Sequence, residues 1–71
     1  MSEAIKLIVD SYVKLSARKA LEDLKAHRHR LANKLKSLNG PLDLSSSIKL
    51  LEEDLTVIDA GLARLNSAAT A

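Results

Sequence analysis

The chain has 71 residues, enough for one small domain, and a formal net charge of +2. It contains no cysteine, which excludes disulfides, and it has only one aromatic residue, which argues against binding of nucleic-acid bases by stacking. Leu, Ala, Lys, Glu and Arg dominate, a composition typical of long helices and coiled coils. A domain this short usually needs additional stabilisation from disulfides, a bound metal or oligomerisation. Without cysteines or a recognisable metal site, oligomerisation is the source of stability that we expect here.

The first predicted element is a helix over residues 3–38, because apolar residues recur at helical spacing and neither Gly nor Pro interrupts them. This helix has about 36 residues and a length of roughly 54 Å at 1.5 Å per residue. Near its start, apolar residues occur on most sides of the helix, which indicates burial on most sides. The alternative is a break near Ser16, with that residue capping a second helix, and it predicts a three-helix bundle.

A turn is predicted at residues 39–43. Asn39 and Gly40 favour the left-handed conformation that ends many helices. Pro41 prevents the helix from continuing, since it has no N–H to donate. The candidates for the N-cap of the next helix are Asp43, Ser45, Ser46 and Ser47.

A second helix is predicted over residues 44–67, followed by a frayed tail at residues 67–71. Its apolar residues recur at spacings of four and three, which is a coiled-coil pattern of about three heptads. They are Leu44, Ile48, Leu51, Leu55, Ile58, Leu62 and Leu65. Gly61 lies beside this row, where a missing side chain permits close approach of another backbone.

The turn predicts an antiparallel two-helix hairpin in which the numbers of facing residues sum to about 83. Residues 1–38 carry a net charge of +5 and residues 39–71 carry −3, which favours this pairing. Arg28 falls within the apolar row of the first helix, where we expect an ion pair with Glu52 or Asp54. The residues expected to form the seam between the helices are Leu24, Leu31, Leu35, Ile48, Leu51, Leu55, Ile58 and Leu62.

The two predicted helices differ in length, so residues 3–15 have no partner within the hairpin. An exposed apolar segment of this size predicts association. The simplest arrangement is a two-fold homodimer in which the hairpins form a four-helix bundle. The expected oligomer interface is Ile5, Ile8, Val9, Tyr12, Val13 and Leu15. All of residues 1–71 then form a single helical-hairpin domain.

The two histidines, His27 and His29, are two positions apart, so on a helix their rings point about 200° apart and do not bind one metal ion. We expect no metal and no cofactor. No nucleophile–base arrangement or Gly-rich phosphate loop is present, so the sequence predicts a protein without enzymatic activity. The apolar residues spread round the first helix rather than along one face, which argues against adsorption to a membrane.

These patterns predict a non-enzymatic protein–protein interaction or assembly module, a small adaptor or regulator that acts as a helical homo-oligomer. Its partners are expected to be further copies of itself and another protein. The alternative is a small dimeric nucleic-acid-binding protein that uses the basic residues in 25–36, although the modest net charge argues against nucleic acid as a partner. The expected compartment is the cytoplasm, because no signal peptide or membrane-spanning segment is recognisable.

Overall fold

The computed structural model describes residues 2–40 and 43–70, which form three helices: α1 (Ser2–Lys14), α2 (Arg18–Leu38) and α3 (Ser45–Thr70). The prediction of an all-α protein is confirmed. The prediction of one continuous helix over residues 3–38 is wrong, because the chain leaves the helix at residues 15–17. Three helices agree with the alternative that placed a break near Ser16. The predicted tail at residues 67–71 is helical as far as Thr70.

The break is a helix C-terminal motif centred on Ser16, whose φ of 53° lies in the left-handed region. The N–H of Ser16 donates to the carbonyl of Val13 at 3.0 Å, and the N–H of Ala17 donates to the carbonyl of Tyr12 at 2.8 Å. These two bonds define a Schellman motif. Ser16 therefore ends α1 and does not cap α2, whose N-cap residue is Ala17 without a side-chain hydrogen bond.

Burial explains why the chain breaks here without a glycine. A left-handed conformation costs a residue other than glycine about 1–2 kcal/mol. The break lets α1 pack on its own chain, where Ile5 and Val9 are almost completely buried. Burying one such side chain contributes about 1.5–3 kcal/mol, so the two together exceed the cost at Ser16.

The end of α2 differs from the predicted left-handed motif. Asn39 has φ −79° and ψ 91°, and no glycine among the described residues has positive φ. Instead, the Asn39 side-chain oxygen accepts the Leu44 N–H at 2.9 Å and so links the two sides of the turn. Asp43 lies just before Leu44, whose carbonyl accepts the first helical bond of α3, and the Asp43 carboxylate accepts the Ser45 N–H at 3.2 Å, so Asp43 satisfies a backbone donor in the first turn. Pro41 lies outside the described residues.

The described part of the chain measures 48 × 19 × 15 Å, with a radius of gyration of 13.6 Å. A compact chain of this length has a radius of gyration of about 11 Å, so the molecule is elongated. α2 packs along α3, while α1 packs mainly on α3 and makes fewer contacts with α2. The helix α1 therefore covers only part of the hairpin that α2 and α3 form.

Candidate interaction surface

The deepest packing lies where all three helices meet, which we call the three-helix end. Its buried side chains come from α1, α2 and α3, and Tyr12, Val13, Leu24, Val57 and Leu62 pack around them. The buried set is Ile5, Val9, Leu21, Ile58 and Leu65. This cluster fixes the position of α1 on the hairpin.

Gly61 allows α1 to approach α3 closely. A Cβ atom at this position would lie less than 3.0 Å from Val9 Cγ1, 3.5 Å from Val13 Cγ2 and 3.8 Å from Leu21 Cδ1. The missing side chain thus leaves the space that the α1 valines occupy. The sequence signalled a close approach at Gly61, and the structure shows that the approaching segment is α1.

One flank of the α2–α3 interface carries polar contacts at heptad spacing along α3. Arg18 donates to Asn66, Lys25 Nζ lies 2.8 Å from Asp59 Oδ1, and Lys36 Nζ lies 3.3 Å from Glu52 Oε2. The first two of these contacts agree with the predicted pairing, in which facing residue numbers sum to about 83. This flank faces away from α1, because residues 52, 59 and 66 lie on a different side of α3 from Gly61.

Arg28 contacts α3 on the opposite flank. Its Nε lies 3.5 Å from Asp54 Oδ2, and both side chains are 23% exposed. Asp54 is seven residues before Gly61 and so lies on the same side of α3 as α1. Arg28 Nη1 also lies 2.8 Å from His27 Nδ1. Glu52, the other predicted partner of Arg28, contacts Lys36 instead.

The flank that carries α1 at the three-helix end is uncovered towards the turn. Leu31 and Leu38 follow Leu24 at seven-residue spacings on α2, and Leu50 precedes Val57 by seven residues on α3. Leu24 and Val57 pack against the core, whereas Leu31, Leu38 and Leu50 are 38%, 45% and 41% exposed. We call Leu31, Leu38 and Leu50 the open face.

α1 carries a second exposed apolar surface on the side opposite its buried residues. Leu7 is 70% exposed, Ile8 42% and Leu15 74%. Helical spacing places Leu7 on the far side of the helix from Val9, which contacts Gly61, and places Ile8 on the flank between them. We call Leu7 and Ile8, together with Leu15 of the break that follows the helix, the α1 outer face.

The structure divides the predicted oligomer interface into two groups. Ile5 and Val9 are buried within the chain, and Tyr12 and Val13 pack partly against the same core. Ile8 and Leu15 are exposed. The inference that residues 3–15 have no intramolecular partner is wrong, because the break turns α1 onto its own hairpin.

The predicted seam residues differ in burial according to their position along the hairpin. Ile58 is fully buried, and Leu24 and Leu62 pack against it. Leu31 is exposed. The remaining four, which lie towards the turn, are half-buried: Leu35, Ile48, Leu51 and Leu55. The predicted seam and oligomer interface include none of the exposed residues Leu7, Leu38 and Leu50, although Leu50 falls outside the regular α3 spacing and its exposure could have been inferred from that.

The basic residues of α2 are partly engaged by α3. Lys25, Arg28 and Lys36 all have acidic partners, so these contacts compete with binding of phosphate groups. Among the described residues, no group of three or more His, Cys, Asp or Glu side chains is placed to hold a metal ion. None of the helices in residues 2–40 and 43–70 has the length and apolar character needed to cross a membrane.

Comparison of the chain with protein-family models, with curated proteins and with solved structures gave no match.

Proposed function

We propose that this chain is a non-enzymatic assembly module that associates with a second copy of itself. In this proposal the α1 outer face of each copy packs on the open face of the other. The observation that carries it is the placement of the six large apolar side chains that are exposed in the described part of the chain. Leu7 and Ile8 lie on α1 and Leu15 directly follows it, whereas the other three lie on the part of the hairpin that α1 leaves uncovered.

The two surfaces match in length. α1 has 13 residues and is therefore about 20 Å long. The uncovered part of α2, from Arg28 to Leu38, spans about 15 Å at 1.5 Å per residue. A helix the size of α1 thus fits the open face along most of its length.

Two-fold symmetry allows both contacts to form at once. With the axis perpendicular to the long axis of the hairpin, the three-helix end of one copy faces the turn end of the other. Each α1 then lies between two hairpins, with Val9 against its own α3 and Leu7 against the partner. Such an interface is isologous, as in most homodimers. Because each chain contributes three helices, the dimer has six helices rather than the four predicted from the sequence.

Burial at the turn end supports association. Among the described residues in 25–55, only Ala32 is buried, so the turn end of the hairpin has no core of its own. A short domain with so few buried side chains gains stability when a second copy covers its apolar residues. A partner helix from another protein would use the same open face, in the manner of helix-in-groove recognition.

Light scattering across a range of protein concentrations tests the proposal. We expect a dimer that dissociates on dilution. Leu31→Glu on the open face and Leu7→Glu on the α1 outer face should each shift the equilibrium to monomer. Thr56→Glu, an exposed position on a different side of α3, is the matched control and should leave the dimer intact.

Mixing the two interface variants identifies which surfaces meet. A heterodimer of Leu31→Glu with Leu7→Glu retains one unaltered contact between an α1 outer face and an open face. We therefore expect the mixture to associate more strongly than either variant alone. A wild-type chain that is monomeric at all concentrations would overturn the proposal, as would a dimer that neither variant weakens.

A further inference from the structure

The connection between α1 and α2 is short and strained. It consists of residues 15–17, and Ser16 holds a φ of 53° that glycine adopts far more readily. α2 begins without a side-chain cap. The break is therefore held mainly by the packing of α1 on the hairpin and not by local sequence preference.

The surrounding sequence favours a continuous helix. Residues 2–38 contain neither Gly nor Pro, and all the residues around the break have ordinary helix-forming ability. In a straight helix, Leu15 continues the row of Ile8 and Tyr12 at spacings of four and three. Straightening would replace the hydrogen bonds of the Schellman motif with ordinary helical bonds and would release the left-handed conformation of Ser16.

The contacts that hold α1 do not require it to belong to the same chain. Val9 packs over Gly61, and Asp10 Oδ1 lies 2.7 Å from Arg64 Nη1. A second copy of α1 offers the same side chains in the same arrangement. Short strained hinge segments are known to favour exchange of this kind.

We propose that α1 exchanges between two copies of the chain. In the exchanged dimer, residues 15–17 are helical, and α1 of each copy occupies the Gly61 site of the other. This inference goes beyond the proposed function, since the open-face dimer forms with α1 on its own hairpin. Exchange preserves the α1 contacts and removes the strain at Ser16, while association costs translational and rotational entropy, so protein concentration determines which form prevails.

Residue 16 sets the balance between the two forms. Ser16→Gly accommodates the left-handed conformation and favours the closed monomer. Ser16→Ala keeps the steric cost of that conformation and raises helix propensity, so it favours the exchanged dimer. A substitution at residue 16 acts twice in each exchanged dimer, because both chains straighten. If it changes the equilibrium between the bent and straight forms of one chain about fivefold, the dimer dissociation constant changes about 25-fold.

An engineered disulfide reports which chain supplies α1. A Cβ at residue 61 would lie within 3.0 Å of Val9 Cγ1, so the Cβ atoms of residues 9 and 61 come within about 4.5 Å, which suits a disulfide. The chain has no natural cysteine, so Val9→Cys combined with Gly61→Cys gives a single defined pair. After refolding and oxidation, denaturing electrophoresis without reductant separates the bond within one chain from the bond between two chains.

We expect the interchain product to increase with the protein concentration during refolding and to follow the order Ser16→Ala, Ser16, Ser16→Gly. Exclusive intrachain disulfide in all three backgrounds would overturn the exchange, as would a product ratio independent of residue 16. If the double-cysteine chain fails to fold, light scattering of Ser16→Ala and Ser16→Gly in the otherwise natural chain tests the same order. Adding Leu31→Glu separates the two proposals, because it disrupts the open-face dimer but leaves the exchanged dimer of Ser16→Ala intact.

Discussion

Gly61→Ala should have opposite effects on stability depending on the residue at position 9. In an exposed helix, replacing Gly by Ala stabilises by about 1 kcal/mol. At Gly61 the new Cβ would approach Val9 Cγ1 to less than 3.0 Å. Valine in a helix has one strongly preferred rotamer, so Val9 does not turn aside without cost. Overpacking of this kind costs about 1–3 kcal/mol.

We therefore expect Gly61→Ala to destabilise the natural chain by about 1 kcal/mol, lowering the melting temperature by about 4–8 °C. Val9→Ala removes two methyl groups from a site that is 1% exposed, which costs at least about 1.6 kcal/mol in lost burial. In that background the space beside residue 61 is free. Gly61→Ala should then be neutral or stabilising by up to about 1 kcal/mol, since the helix-propensity gain is no longer opposed.

Denaturant unfolding followed by circular dichroism at matched protein concentration measures the four chains of this double-mutant cycle. Gly40→Ala is the control for unfolded-state effects, because a Cβ at Gly40 meets nothing within 4 Å. Equal destabilisation by Gly61→Ala with valine or alanine at position 9 would refute the reasoning. The penalty would then arise in the backbone of α3 and not at the contact with Val9.

Three other substitutions test the turns and the ion pair. Ser16→Gly should stabilise the closed chain by about 1 kcal/mol and raise its melting temperature by about 4–8 °C, measured by thermal unfolding at low protein concentration. Asn39→Ala removes the acceptor of the Leu44 N–H and should cost about 0.5–2 kcal/mol in denaturant unfolding, whereas an unchanged midpoint would show that the bond is replaced by water. Arg28→Leu should weaken the specificity of helix pairing, which would be detected as a change in oligomeric state. A higher melting temperature with an unchanged oligomeric state would refute a role for the Arg28–Asp54 pair in fixing the register of the helices.

The helix α3 and its buried side can be predicted from the sequence, because its apolar residues are regularly spaced. The six regularly spaced apolar residues of α3, and Leu44 directly before it, are all half-buried or buried in the structure. The pairing of α2 with α3 also followed from the position of the turn, and Lys25–Asp59 and Arg28–Asp54 lie where that pairing places them. Periodicity and chain reversal are local properties, so one sequence is enough to reveal them.

The break at Ser16 cannot be predicted from local sequence in the same way. Its local sequence has no glycine at the left-handed position and no favourable N-cap for α2, so propensity alone favours a continuous helix. The break follows from burial of Ile5 and Val9, which are distant in sequence from Ile58 and Leu65. Tertiary burial of this size overrides a local preference of about 1–2 kcal/mol.

The packing of α1 on its own hairpin buries the apolar side chains on only one side of this helix. The sequence has apolar residues on most sides of this helix, and a single hairpin can cover the side with Val9 while leaving Leu7 and Leu15 exposed. A continuous helix and a broken helix thus leave the same problem, which is an apolar surface without a partner in the chain. The turn end of the hairpin carries a second such surface, the open face, because α1 covers only the three-helix end. Self-association therefore remains the most economical proposal even though the long overhang that first suggested it is absent.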